Sequence, residues 1–454
     1  MKIRSVNPFT EQVTAEFELM SEEQVARKVQ KTRDAFRAWS ALSVPRRAGL
    51  IRRLGEIAKS KKRRFAELIT VEMGKPIRES LSEVEKSAWL CDYYADNASR
   101  MLRAEQIRTE AKKSYVMFQP LGVVLSIMPW NFPFWQPFRF AVPAIAAGNC
   151  SLLKHASNVP SCALAIEEMF REAGFPEGVF STLLIDSRAA LKLIEDDSVD
   201  AVSLTGSNAA GEQVGGAAGR RIKKVVLELG GSDPFIVLHD ADVDRAAAAA
   251  AKARTVNGGQ SCIAAKRFIV MKKVANEFTE RFIEHLRQLR MGDPMDHETD
   301  IGPVAKREIL ETLRVQLEDA REKGAEIVDM GHSFTKGLFF PVCVVLNARA
   351  DMKVVTEEVF GPIAPIIVVK TEAEAVFRAN DTPFGLGASV WSSNHRRAEK
   401  LAKAIDAGFV AINDIVKSDP RLPFGGVKKS GVGRELSHYG LKEFVNVKTV
   451  VMQE

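Results

Sequence analysis

From Ser21 to about Ser99, apolar residues recur three and four positions apart, as at Val25, Val29 and Ala35-Phe36 or at Leu50, Leu54 and Ile57. Charged residues fill the positions between, and that period predicts a helix-rich N-terminal segment. The texture then changes. Gln106 to Gln119 alternates in short runs suited to exposed strands, and Gly122 to Met128 is an apolar run predicting a buried strand that ends at Pro129. Up to about residue 240, strand-like and helical runs take turns: 149–153 then 161–173, 179–184 then 189–195, 201–204 then 209–218, and finally 225–229. Such alternation is the pattern of βαβ units on a parallel sheet. A second α/β series follows, with helices predicted at 243–253, 275–289 and 306–323 and strands at 267–271, 363–369 and 388–390. Phe444 to Met452 is again strand-like.

Length and composition narrow this picture only a little. At 454 residues the chain exceeds what one hydrophobic core serves, so two or more domains are expected. A net charge of +6 is a small imbalance between 64 basic and 58 acidic residues. Its one dense run, Lys61 to Arg64, lacks aromatic interleaving and reads as a solvated helix face, so no nucleic-acid partner is expected. Five cysteines at 91, 150, 162, 262 and 343 show no CxxC spacing. That argues for a reducing compartment and against a disulfide framework or a zinc cluster. Met1 to Thr10 lacks a signal-peptide apolar region, and no run reaches about 18 apolar residues, so the expectation is a cytoplasmic protein without a membrane partner. The seven histidines have no HxxxH or HExxH spacing, no metal is expected, and His155 reads as a loop residue.

The candidate chemistry centres on Cys262, in Asn257-Gly-Gly-Gln-Ser-Cys262. The glycine pair allows close backbone approach, and a thiol is a strong nucleophile toward a carbonyl carbon once deprotonated. A lone cysteine is more often a small buried hydrophobe; its neighbours in the argument change that. Pro129-Trp-Asn-Phe-Pro133 follows a buried strand, and its two prolines hold a loop in which the Asn131 amide can donate to a developing oxyanion. Glu228-Leu-Gly-Gly231 places a carboxylate at a strand's C-terminal end, where open α/β sheets hold ligands. Leu204-Thr-Gly-Ser-Asn-Ala-Ala-Gly211 follows a strand and opens a helix but is not GxGxxG. Glu228 could therefore be a base or, on a forced dinucleotide reading, a ribose ligand.

Taken together, the motifs resemble the aldehyde dehydrogenase superfamily over essentially the whole chain. The resemblance rests on Pro129 to Pro133, Leu152-Leu-Lys154, Leu204 to Ser207, Glu228 to Gly231, Gly259-Gln-Ser-Cys262, Glu357-Glu-Val-Phe-Gly-Pro362, Asn380-Asp-Thr-Pro-Phe-Gly-Leu386 and Pro423 to Gly431, in family order. More narrowly, Gly230-Gly-Ser-Asp-Pro234, Lys154-His-Ala-Ser157 and Lys417 to Gly426 resemble the short succinate-semialdehyde dehydrogenases.

The resemblance implies an α/β fold with a non-standard Rossmann cofactor domain (1–100 and 120–229), an α/β catalytic domain (230–430) and a β oligomerisation arm (101–119 and 431–454). It implies a homodimer or homotetramer. Cys262 would form a thiohemiacetal and then a thioester, Asn131 and the Cys262 N–H would hold the oxyanion, and Glu228 would be the general base. Trp130, Lys154, Ser157, Gly206, Ser207, Leu229, Glu358 and Phe360 would bind the cofactor. Many NAD-preferring relatives carry glutamate at the position of Ser157; a neutral serine beside Lys154 accepts a 2′-phosphate, so NADP is expected over NAD, with NAD possible. Arg139 and Ser418 would bind the carboxylate of succinate semialdehyde, although Arg139 could instead be a domain-bridging ion pair. The alternatives are a broader aldehyde dehydrogenase for small or aromatic aldehydes and a non-catalytic structural relative. Ala264 leaves no second cysteine beside the nucleophile, and no local redox switch is expected.

Overall fold

The computed structural model describes residues 2–331, 334 and 336–453. Four helices, Glu22–Ala41, Val44–Ser60, Lys62–Met73 and Ile77–Met101, realise the three- and four-residue spacing of the N-terminal segment. The first begins at a reciprocal cap, with Gln24 N donating to Ser21 Oγ at 3.2 Å and Ser21 N to Gln24 Oε1 at 2.8 Å. Their apolar stripes, among them Ile51, Leu54, Phe65, Ile69, Val84 and Leu90, share one core with the wholly buried helix Trp135–Ala147. Among the described residues no helix is long and apolar enough to cross a membrane.

Two sheets organise the remainder. The first has six strands in the spatial order 431–432, 224–228, 201–205, 123–128, 150–155 and 180–182, parallel throughout except for the edge strand 431–432. The chain enters this sheet at Val123–Met128, builds outward on one side with 150–155 and 180–182, and then returns to the other side with 201–205. The order therefore reverses between 123–128 and 201–205, and a crevice opens at the carboxyl ends of these strands. Buried on both faces, the strands read as continuous apolar runs such as Val123-Val-Leu125.

The second sheet has seven strands, in the order 326–329, 343–346, 363–369, 265–271, 233–237, 387–391 and 409–412. All its pairings are parallel apart from 326–329 on 343–346. Asp233–Val237, which follows Glu228 after only four residues, is a central strand of this sheet, so the Leu229-to-Ser232 segment carries the chain from one sheet to the other. The sequence reading had no strand there, because the run Asp233-Pro-Phe-Ile-Val237 opens with a charged residue and proline. A three-stranded sheet has the order 445–452, 113–120, 105–106. Its main pairing is antiparallel and runs from Val445 opposite Pro120 to Met452 opposite Lys113. The stretch from 431 onward divides between sheets: 431–432 joins the six-stranded sheet, and 445–452 the three-stranded one.

Candidate active site

The loop carrying Cys262 is shaped by three consecutive residues in the left-handed region, Asn257 (φ 53°), Gly258 (φ 60°) and Gly259 (φ 79°). Asparagine and glycine are the residues that adopt this conformation at least cost. At Gly259 there is also no room, since a Cβ would stand 2.5 Å from the backbone of Gly361. Buried amides clasp the loop from the sides. Asn131 Nδ2 donates to the Gln260 carbonyl at 3.1 Å, Asn257 Nδ2 donates to the Asn131 carbonyl at 2.9 Å, and Gln260 Oε1 accepts from Ala305 N at 2.8 Å. The fully buried Lys266 donates to the carbonyls of Ser261 and Cys262 at 2.9 and 2.6 Å. These bonds tie the Pro129-to-Pro133 loop of the first sheet to the cysteine loop of the second, so the two motifs meet although about 130 residues separate them.

The half-buried Cys262 lines two cavities. The first, of about 240 Å³, lies over the strand-order reversal and is bounded by Trp130, Asn131, Gly206, Ser207, Leu229, Lys306, Glu358 and Phe360 among others. Ser207 caps the helix Asn208–Arg220, with its hydroxyl accepting from Ala210 N at 3.3 Å, so the positive end of that helix faces the crevice. Six of the eight residues expected to bind cofactor therefore share one wall. Lys154 and Ser157 stand outside it, at and just beyond the end of the neighbouring strand Cys150–His155, the lysine partly buried and the serine exposed. Glu358 is turned inward, accepting from Gly231 N at 3.0 Å and lying 3.5 Å from the Lys266 ammonium.

Lys306 was missed at the sequence level. It lines the crevice, and burial lowers both its pKa and that of Lys154, which it lowers further by repulsion. Neither ammonium has a side-chain ion pair among the described residues. Two partly desolvated cations without acid partners beside a helix N-terminus suit a polyanionic dinucleotide. Nothing in the local sequence marks Lys306, because its relevance comes from the fold bringing residue 306 near strand 150–155.

The second cavity, of about 290 Å³, is walled by Phe132, Trp135, Ile263, Val416 and Phe424, with Lys86, Arg139, Ser418, Glu79 and Glu83 among its polar members. Arg139 is buried, paired with the equally buried Glu435, and its guanidinium lies 4.7 Å from the Phe424 ring centroid. The ion-pair reading of Arg139 thus describes the molecule, while the side chain still borders the cavity. Glu435 had not been picked out in the sequence.

Burial pushes the Cys262 thiol up to about 12; Lys266 and Arg139 oppose this, and Glu358 and Asp233 reinforce it. Glu228 ends the strand Lys224–Glu228 with both oxygens buried, without hydrogen-bond partners among the described residues, and against Gly425. Burial, and after it the charge of Glu435, raise its pKa well above the usual carboxylate range, against the pull of Arg139. In this position Glu228 lines neither cavity. His155, expected in a loop, is instead the last residue of its strand. Burial lowers its pKa to about 4, and its two ring nitrogens meet the carbonyls of Met128 and Pro133 at 3.2 and 2.9 Å, bracing the loop that carries Asn131.

The Cys262 thiol thus stands at the junction of a crevice at the strand ends and a mostly apolar cavity. The profile of the Aldehyde dehydrogenase family matches residues 1–450, and the chain belongs to that family. It is 48% identical over 451 residues to a probable NADP(+) succinate-semialdehyde dehydrogenase of Synechocystis sp., with 99% of each chain covered. It is 43% identical over 447 residues to an NAD(P)+ succinate semialdehyde dehydrogenase of Escherichia coli, covering 98% of this chain and 97% of the relative. Among solved structures, the succinic semialdehyde dehydrogenase of Streptococcus pyogenes in complex with NADP+ superposes with a TM-score of 0.97 at 34% identity, each chain covered in full.

Proposed function

We propose that this enzyme oxidises succinate semialdehyde to succinate with NADP in preference to NAD. The observation that carries the reading is the second cavity, which has the Cys262 thiol in its wall together with a cation and a hydroxyl, Lys86 and Ser418, matching an aldehyde with a distal carboxylate. The names of the relatives point the same way. Ser157 adds no charge where a 2′-phosphate would lie, and Lys154 and Lys306 supply positive charge, which supports the cofactor preference.

The chain's own groups divide the work. Cys262 Sγ attacks the aldehyde carbon, and the resulting oxyanion takes the second hydrogen of the Asn131 amide and the Cys262 N–H, which has no acceptor within the described residues. A bound nicotinamide dinucleotide supplies the hydride acceptor. Loss of hydride leaves a Cys262 thioester. Glu228, turned from Gly425 into the cavity and ionised by contact with water, removes a proton from the water that hydrolyses the thioester. Because the resting thiol is protonated, the same carboxylate is the proposed acceptor of the thiol proton.

The catalytic and cofactor sites and the domains expected from the sequence are retained here as proposals, with Trp130, Gly206, Ser207, Leu229, Glu358 and Phe360 around the dinucleotide. A homodimer or homotetramer is proposed through the arm, whose strand 445–452 exposes Val447, Val451 and Met452. The cytoplasm is the proposed compartment, in keeping with five free thiols. The aromatic walls Phe132, Trp135 and Phe424 favour a second reading, a broader enzyme for neutral or aromatic aldehydes. A substrate-by-cofactor matrix of kcat/KM separates them. The highest value is expected for succinate semialdehyde with NADP; equal values for neutral aldehydes, or a clear preference for NAD, would overturn the corresponding half.

A further inference from the structure

Lys86 comes from the helix Ile77–Met101 and lines the same cavity as Cys262. Its ammonium donates to Ser418 Oγ at 2.8 Å and lies 4.4 Å from the ring centroid of Trp135. No carboxylate among the described residues pairs with it. The nearby acids are engaged elsewhere. Glu83 accepts from the N–H groups of Phe134 and Trp135 at 2.8 and 2.9 Å and pairs with Lys75; Asp419 pairs with Arg421 at 2.6 Å; Glu79 accepts from Asn257 N at 2.8 Å. Of the other cations in the cavity wall, Arg139 is paired with Glu435, Lys417 with Asp414 at 2.5 Å, and Lys252 is exposed, where water screens its charge.

From this arrangement we infer that Lys86, with Ser418 as its companion donor, is the residue that binds the distal carboxylate of the aldehyde, a role the sequence reading had assigned to Arg139. The inference rests on the proposed substrate. A half-buried ammonium that lacks an anion gains a charge-assisted hydrogen bond when a carboxylate arrives, and loses no existing ion pair. Arg139 would first have to release Glu435, leaving a buried carboxylate uncompensated. Burial, with repulsion from Arg139, lowers the Lys86 pKa to about 8, and an incoming carboxylate relieves that pressure.

The test compares succinate semialdehyde with butanal, which has the same chain length and no carboxylate, in the full-length enzyme and in Lys86→Ala, Lys86→Gln and Lys86→Arg. With Ala or Gln, kcat/KM for succinate semialdehyde is expected to fall about 10–100-fold further than for butanal, mainly through KM, and Arg is expected to recover most of the loss. Equal factors for the two aldehydes in both neutral variants would overturn the inference. So would loss of the carboxylate preference in the paired variant Arg139→Gln/Glu435→Gln while Lys86→Ala keeps it. If the unaltered enzyme shows no preference for succinate semialdehyde over butanal, the proposed function fails instead; a preference that survives both Lys86→Ala and Lys86→Gln sinks only the assignment of Lys86.

Discussion

The two cavities that meet at Cys262 are built in different ways. The crevice over the strand-order reversal is made largely by strand ends, a helix N-terminus and short Gly-containing turns, with Trp130, Gly206, Ser207, Leu229 and Gly230 each one or two residues beyond a strand. The second cavity is assembled mainly from side chains of the helix 77–101, the helix 135–147, the helix 243–255, the cysteine loop and the segment 415–424. Main chain dictates the first and side-chain packing the second. A backbone site tolerates much sequence change provided the turns are kept, whereas a side-chain site changes its ligand with one substitution. The two sides are therefore expected to vary independently around a shared thiol.

The strongest challenge to that division is Cys262→Ala, which removes a thiol that lines both cavities. Turnover of every aldehyde is expected to drop by at least about 10⁴-fold while dinucleotide binding, followed by fluorescence titration, stays within a few-fold. Substantial residual turnover would place the nucleophile elsewhere. Glu228→Gln separates the two halves of the reaction. Steady-state turnover is expected to fall by about 10²–10⁴-fold, and if the thioester forms and persists, a burst of reduced cofactor equal to the enzyme concentration precedes the slow phase. Absence of both burst and turnover would give Glu228 its main role before hydride loss.

A smaller effect, confined to the cofactor side, is expected from Ser157→Glu. A carboxylate there repels a 2′-phosphate, so kcat/KM for NADP should fall about 10–100-fold relative to NAD, with the ranking of aldehydes unchanged. A changed aldehyde ranking would break the independence of the two sides. The mildest test is the pH dependence of Cys262 alkylation by iodoacetamide in the cofactor-free enzyme. Because burial raises the thiol pKa to about 12, above its ordinary value of 9.0, the thiolate fraction should grow about tenfold for each pH unit between 7 and 10. The alkylation rate constant should follow it without a plateau. A plateau near pH 8 would mean that the free enzyme already holds the thiolate.

Hydrophobic periodicity alone determined where most helices and strands lie, and the alternation of strands with helices determined that the molecule is α/β. Both follow from local rules, since side chains repeat every 3.6 residues on a helix and every two on a strand. The same local chemistry marked Cys262, because Asn257-Gly-Gly259 has the residues that adopt a left-handed turn, and it marked the strand-end motifs that line the crevice. Tertiary structure alone decided the rest. Arg139 and Glu435 are 296 positions apart by number, and Lys86 and Ser418 are 332 apart, so no motif can pair them. Whether a cation is already neutralised, as Arg139 is, or remains open to a ligand, as Lys86 does, depends on which acids the fold places beside it. The upward pKa shift of Glu228 arises in the same way: its position at a strand end was readable, but the shift comes from burial, here against Gly425, and from the charge of Glu435. Desolvation and long-range pairing are properties of a packed interior, and a linear pattern carries neither.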